Sequence, residues 1–192
     1  MNIGIFGGTF NPPHTGHLVV AEAVRNEIGL DKILFVPSYI SPHKQEGEES
    51  VSRHRLEMLK LAIAGNSYYT VSEYEINQRG TSYTINTLEF LLRQNPADHY
   101  FVIIGMDNYL TFHHWKEPKK ILELATLVVM NRPNYPKQIN EAIGTKNIVF
   151  VEVPNIDISS SEIRLKVKKG MSIRDDVGEK VEKYIKNRNL YK

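Results

Sequence analysis

Gly4-Ile5-Phe6-Gly7-Gly8-Thr9-Phe10-Asn11-Pro12-Pro13-His14-Thr15-Gly16-His17 contains the end of a strand, a glycine turn and the start of a helix. Asn2 to Phe6 is a short apolar run of the kind a buried strand needs. It stops at Gly7-Gly8, where a backbone without side chains lets a ligand come close. After Pro12-Pro13, the residues Leu18, Ala21, Val24 and Ile28 recur at helical spacing and predict an amphipathic helix. Backbone N–H groups and the positive end of the helix dipole converge on such a turn, so it is a place for phosphate.

His14 and His17 stand three positions apart with Gly16 between them, which predicts both imidazoles on one face of the first helical turn, above the same loop. They offer two donors to one phosphate. The turn is not the G-x-G-x-x-G fingerprint, and no G-x-x-x-x-G-K-[ST] occurs in the chain, which argues against P-loop chemistry. Two plainer readings stay open on these residues alone: Thr15 as a helix cap beside incidental histidines, or half of a zinc site. The second would need further ligands, and the chain has no cysteine and no H-E-x-x-H. The histidines resemble the H-x-G-H signature of the nucleotidyltransferase superfamily, and the longer string GGTFNPPHTGH resembles the opening of bacterial nicotinate-nucleotide adenylyltransferases.

Composition agrees with one compact enzyme domain over residues 1–192. With 192 residues and 41% hydrophobic content, the chain can bury a real core. A net charge of +2 and no lysine or arginine run imply no nucleic-acid partner. The absence of cysteine excludes disulfides and thiol catalysis and suits a reducing compartment. No stretch resembles a signal peptide or approaches the roughly twenty apolar residues of a membrane span, so a soluble, cytoplasmic protein without a membrane partner is expected. Oligomeric state is not legible, a homodimer being one open form.

Strand and helix then alternate. Lys32 to Pro37, Tyr68 to Val71, His99 to Ile104, Ala125 to Met130 and Asn147 to Val153 read as further strands. Arg53 to Ala64, Tyr83 to Arg93, Ser159 to Lys169 and Asp176 to Asn187 read as helices, and Gln138 to Ile143 as a short one. Ser38 to Ser50 reads as a long surface loop and Gln78 to Thr81 as a turn. Strands that are apolar throughout and separated by helices predict an α/β fold: a doubly wound, mostly parallel, Rossmann-like sheet with helices on both faces. Ligands should bind above the carboxyl ends of the strands, at the switch in strand order.

Four more stretches fall at predicted carboxyl ends. Ser41-Pro42-His43-Lys44 follows the second strand, and Arg53-His54-Arg55 supply a basic residue that can face the same phosphates. Gly105-Met106-Asp107-Asn108 follows the fourth strand, where a carboxylate suits ribose hydroxyls unless Asp107 simply caps the next helix. Gly80 to Thr84 joins His113-His114-Trp115-Lys116, the only tryptophan offering a plane to a flat ring or plugging its own loop. His113 and His114 are adjacent and predicted to face different ways, which disfavours a metal there. Ile158-Ser159-Ser160-Ser161-Glu162-Ile163-Arg164 holds a capping box at Ser159 and Glu162, which leaves the other serines and Arg164 unexplained. Lys168 to Ser172 loosely resembles a synthetase K-M-S-K-S loop in the wrong order, a decoy on a basic helix end.

The family resemblance gives these stretches roles and covers essentially the whole chain. It implies that His14, His17, Lys44 and Arg164 act in catalysis. It implies that Gly7, Gly8, Thr9, Phe10, Gly105, Asp107, Arg132, Ile158, Ser159, Ser160 and Ser161 bind ATP. The string around Arg164 resembles the superfamily's I-S-S-T-x-I-R, with Ser161 keeping the hydroxyl of threonine; Arg132 lies in Asn131-Arg132-Pro133, which family members pack against adenine. Thr9, Tyr83, Thr84, Trp115 and Lys116 are implied to bind nicotinate mononucleotide, and the segment 159–192 to close the ATP site.

The implied reaction joins nicotinate mononucleotide to the AMP part of ATP, with Mg²⁺ bound mainly through the ATP phosphates and no metal held by the protein. Other acceptors, nicotinamide mononucleotide or phosphopantetheine, and a nucleotide sensor without catalysis are the alternatives.

Overall fold

The computed structural model describes residues 1–40, 49–131 and 138–192. Lys44 and Arg132, with the rest of Ser41 to Lys44 and Arg132-Pro133, lie outside the described residues. Six parallel strands form one sheet in the order β3-β2-β1-β4-β5-β6. They are β1 (Asn2–Gly8), β2 (Lys32–Pro37), β3 (Tyr69–Val71), β4 (His99–Gly105), β5 (Thr126–Met130) and β6 (Ile148–Val151). The order reverses at β1, with Phe6 paired to Phe35 on one side and to Ile103 on the other. The expected Rossmann-like sheet is therefore present, and its switch point lies directly above Gly7-Gly8.

Alternation along the strands separates two cores. Phe6, Phe35, Ile103 and Val128 face Ala21 and Val24 of helix α1 (Thr15–Ile28) and Leu59 and Ile63 of α2 (Glu49–Ile63). Ile5, Val36, Val102, Leu127 and Val129 face the opposite layer. That layer takes Ile85 and Leu88 from α4 (Thr84–Gln94), Tyr109 from α5 (Met106–Leu110) and Ile121 from α6 (Pro118–Leu124). Gly4 sits where the sheet meets α1's end: a Cβ there would lie 2.7 Å from Ile33 Cδ1 and 2.8 Å from Leu30 Cδ1.

Beyond the sheet, α7 (Ser160–Lys168), α8 (Arg174–Val177) and α9 (Glu179–Asn187) pack Ile163, Val177, Val181 and Ile185 against Met58 of α2.

Several expectations on the helices are corrected. Helix α2 begins at Glu49, a full turn before the expected Arg53. The expected helix from Asp176 to Asn187 is broken at Gly178, whose φ of 81° no helix accommodates, and α8 instead starts at Arg174. Gln138 to Ile143 forms no helix. Asn140 is buried instead, its N–H donating to the Tyr109 hydroxyl and its Nδ2 to the carbonyls of Tyr109 and Leu110, so the segment is held by tertiary bonds to α5. The short helices α3 (Tyr74–Gln78) and α6 are not among the expected elements, being too short for a period of 3.6 to declare itself.

Candidate active site

The carboxyl ends of β1, β4 and β5, the N-termini of α1, α4 and α7, and the loop around Trp115 enclose a crevice of about 780 Å³. Every described residue to which the family resemblance gives a role lines it, whereas Arg53, His54 and Arg55 do not. Gly7 is exposed, and a Cβ there would meet nothing within 4 Å, so its place leaves room for a ligand. Gly8 serves the loop instead: a Cβ would press within 2.9 Å of the Phe10 ring. Phe10, at φ 49°, is buried and meets Phe6 edge-on at 5.9 Å.

His14 is the N-cap of α1, and its main-chain N–H donates to Nδ1 of His17 at 3.1 Å. The two rings lie 3.7 Å apart, and Phe10 meets His17 edge-on at 5.0 Å. The pair thus shares one face, as expected. Burial holds His14 down to about 4, opposed in part by the charge of Asp176. Burial also holds His17 down to about 3, with the His14 charge acting the same way. Both rings are neutral at pH 7, and each presents an N–H as a donor rather than a full charge. His14 Nδ1 is buried without a partner among the described residues.

The second signature docks on the first. Arg164 Nη1 donates to the Asn11 carbonyl at 2.8 Å, its Nη2 to Ser161 Oγ at 3.2 Å, and Ser160 Oγ to the Pro12 carbonyl at 2.9 Å. The peptide between Asn11 and Pro12 is cis. Ser159 caps α7, its Oγ accepting from the Glu162 N–H at 3.2 Å, and Glu162 Oε2 accepts the Ser159 N–H at 3.2 Å. The capping box and the functional reading therefore coexist: Ser159 and Ser160 use their hydroxyls on the protein, while the helix N-terminus and Arg164 line the crevice.

Arg55 corrects one expectation. It is buried, and rather than facing phosphate it donates to the carbonyls of Thr9 and Ser38, both at 2.6 Å, and of Tyr39 at 3.2 Å. One guanidinium therefore ties the loop after β1 to the loop after β2. His54 turns away to the Tyr184 hydroxyl, 2.9 Å from its Nδ1.

Asp107 lies inside the first turn of α5, whose N-cap is Gly105, so capping does not account for it. At the far end, Tyr83 caps α4 and Thr84 opens it, and Lys116 Nζ lies 4.8 Å over the Tyr83 ring. Trp115 packs at 5.1 Å against Phe112 yet also lines the crevice, with Nε1 buried and unpartnered among the described residues. His113 and His114 do not diverge: their rings lie 3.9 Å apart in a short 3-10 turn, and His113 Nδ1 meets Asn140 Nδ2 at 3.1 Å.

A cytidylyltransferase-like family model matches residues 5–166. The chain is 37% identical over 189 residues to a protein of Bacillus pumilus described as a probable nicotinate-nucleotide adenylyltransferase, covering 98% of this chain and 97% of that one. Relatives of the same description in Enterococcus faecalis and Clostridium tetani are 41% and 39% identical, over 98% of this chain and 84% and 98% of theirs. The chain belongs to the nicotinate-nucleotide adenylyltransferase family. Its fold is that of the Plasmodium falciparum nicotinic acid mononucleotide adenylyltransferase solved with NaAD, at a TM-score of 0.77 and 23% identity over 99% of this chain and 97% of that one.

Glu75 is a part of this adenylyltransferase crevice that the sequence does not announce, and Asn131, expected there from the resemblance, takes a structural part in its wall. Glu75 of α3 lines it, and burial pushes its carboxyl up against the opposing bonds from Thr87 and Ser82, the Thr87 hydroxyl donating at 2.6 Å. Ser82 Oγ accepts the Tyr39 N–H at 2.9 Å, so the turn before α4 is tied to the loop after β2. Asn131 binds the Val153 main chain in both directions, at 3.1 and 2.7 Å, and shapes the wall below α7. No motif announces Glu75, which sits in a helix too short for a sequence period.

Proposed function

We infer that the protein transfers the adenylyl group of ATP to nicotinate mononucleotide, giving deamido-NAD and pyrophosphate, a step of NAD biosynthesis. The observation that carries the mechanism is the docking of Arg164 and α7 onto Asn11-Pro12, which sets both signatures at the two sides of one crevice. The acceptor phosphate is already an anion, so no side chain need act as nucleophile. It attacks the α-phosphorus in line, the bond to the β-phosphate oxygen breaks, and pyrophosphate leaves with that electron pair.

The protein's share is position and charge. His17 donates to the α-phosphate as charge gathers there, and His14 donates to the phosphate chain beside it. Arg164, the N-terminus of α7 and Lys44 receive the departing pyrophosphate. Asp107 accepts from the ribose, and Arg132 flanks the adenine. Trp115, Tyr83, Thr84 and Lys116 hold the nicotinate mononucleotide, with the segment 159–192 closing the nucleotide side. The groups assigned to the phosphates are imidazole, guanidinium and amide donors, which suit phosphate oxygens rather than a hard cation, so Mg²⁺ would enter with ATP and neutralise phosphate charge as part of the substrate.

Among the described residues no helix is long and apolar enough to cross a membrane; a cytoplasmic site of action fits the thiol-free sequence. The test is pyrophosphate release from Mg·ATP with nicotinate mononucleotide, nicotinamide mononucleotide and phosphopantetheine offered separately. Strong preference for the first is expected. Preference for another acceptor overturns the acceptor pocket, and silence on all three overturns the reaction.

A further inference from the structure

The phosphate loop is held from a third side by a residue distant from both signatures. Tyr191 sits at φ 66°, a region side chains rarely adopt, and this lays its ring on the cluster of Ile163, Val181 and Ile185. Its hydroxyl donates to Asn11 Oδ1. Asn11 is the residue whose main-chain oxygen accepts from Arg164. The charges of both Arg164 and Arg55, the two arginines that grip the loop, also act on that hydroxyl. Burial pushes the phenol up from its usual range, so it stays a neutral donor wherever the enzyme works.

We propose that Tyr191 is a positioning residue for adenylyl transfer: its hydroxyl fixes Asn11 and, through Asn11, the guanidinium of Arg164 where pyrophosphate departs. Tyr191 touches no reacting atom itself. The proposal rests on the reaction given above and deepens it. Phenylalanine at 191 keeps the packed ring and removes only the hydrogen bond, so fold and function can be separated.

The experiment is steady-state kinetics and thermal melting of Tyr191→Phe, Arg164→Ala and the double variant, with Mg·ATP and nicotinate mononucleotide. Tyr191→Phe should stay folded with a melting temperature within a few degrees of the wild type, keep the KM for nicotinate mononucleotide and lose about five- to tenfold in kcat, as one hydrogen bond implies. Added to Arg164→Ala, it should cost no further turnover. Unchanged kcat overturns the proposal, as does a further loss of the same size in the Arg164→Ala background or a lower melting temperature with kcat intact. Wild-type turnover beside an unaffected variant condemns the proposal alone; a wild type without turnover removes the reaction and the proposal together.

Discussion

The main-chain N–H of His14 donates to Nδ1 of His17, 3.1 Å away, which leaves Nε2 of the neutral His17 ring as its donor. A helix N-cap thereby sets the tautomer of the residue one turn on, before any ligand arrives. The same packing that orients the rings also keeps them uncharged, and this has a cost in acid.

Both histidines titrate below their ordinary value, at about 4 and about 3, whereas in the unfolded chain they titrate near 6.5. Between these limits the unfolded state binds more protons, so stability is complete above pH 6.5 and falls as pH drops toward 4. The melting temperature should decline over that window, and His17→Ala should decline less steeply, the difference reaching about 3 kcal/mol at pH 4. Parallel melting curves across pH for the two proteins would refute this.

Arg55 supplies its charge to three carbonyls and thereby joins the loops after β1 and β2. Removing it leaves buried acceptors without donors, at about 2 to 3 kcal/mol. Arg55→Ala should melt several degrees lower and raise the KM for ATP more than that for the acceptor. Lysine at 55 cannot span the fork and should recover only part of the loss. Denaturant unfolding with paired kinetics checks both statements, and a variant as stable as the wild type contradicts them.

Trp115 packs against Phe112 and also lines the crevice. Trp115→Ala should raise the KM for nicotinate mononucleotide about tenfold, or about 1.4 kcal/mol, with the KM for ATP little changed. If instead both constants move together with the melting temperature, the ring only plugs its loop.

The sheet was legible because most of its strands carry a continuous apolar run between turn signals: Tyr100 to Ile104, rich in aromatic and β-branched residues, reads as a buried strand. The H-x-G-H turn and the serine-rich helix start were legible because local chemistry fixes them. What escaped was tertiary. Arg55 lies on a helix whose pattern says only that it is amphipathic, and nothing local tells which carbonyls a buried guanidinium will meet. Glu75 acquires its place through Ser82 and Thr87, and Asn140 forgoes a helix for Tyr109, both through contacts that sequence spacing does not encode. Gly178 was the exception, since a glycine inside a predicted helix could have been read as its break.

The decisive measurement is the turnover of purified His17→Ala with Mg·ATP and nicotinate mononucleotide. If His17 stabilises the α-phosphate only in the transition state, kcat falls about a hundredfold or more while the fold at pH 7.5 is retained. A folded variant that turns over at a near-normal rate would contradict the assignment of the reacting phosphorus to this turn.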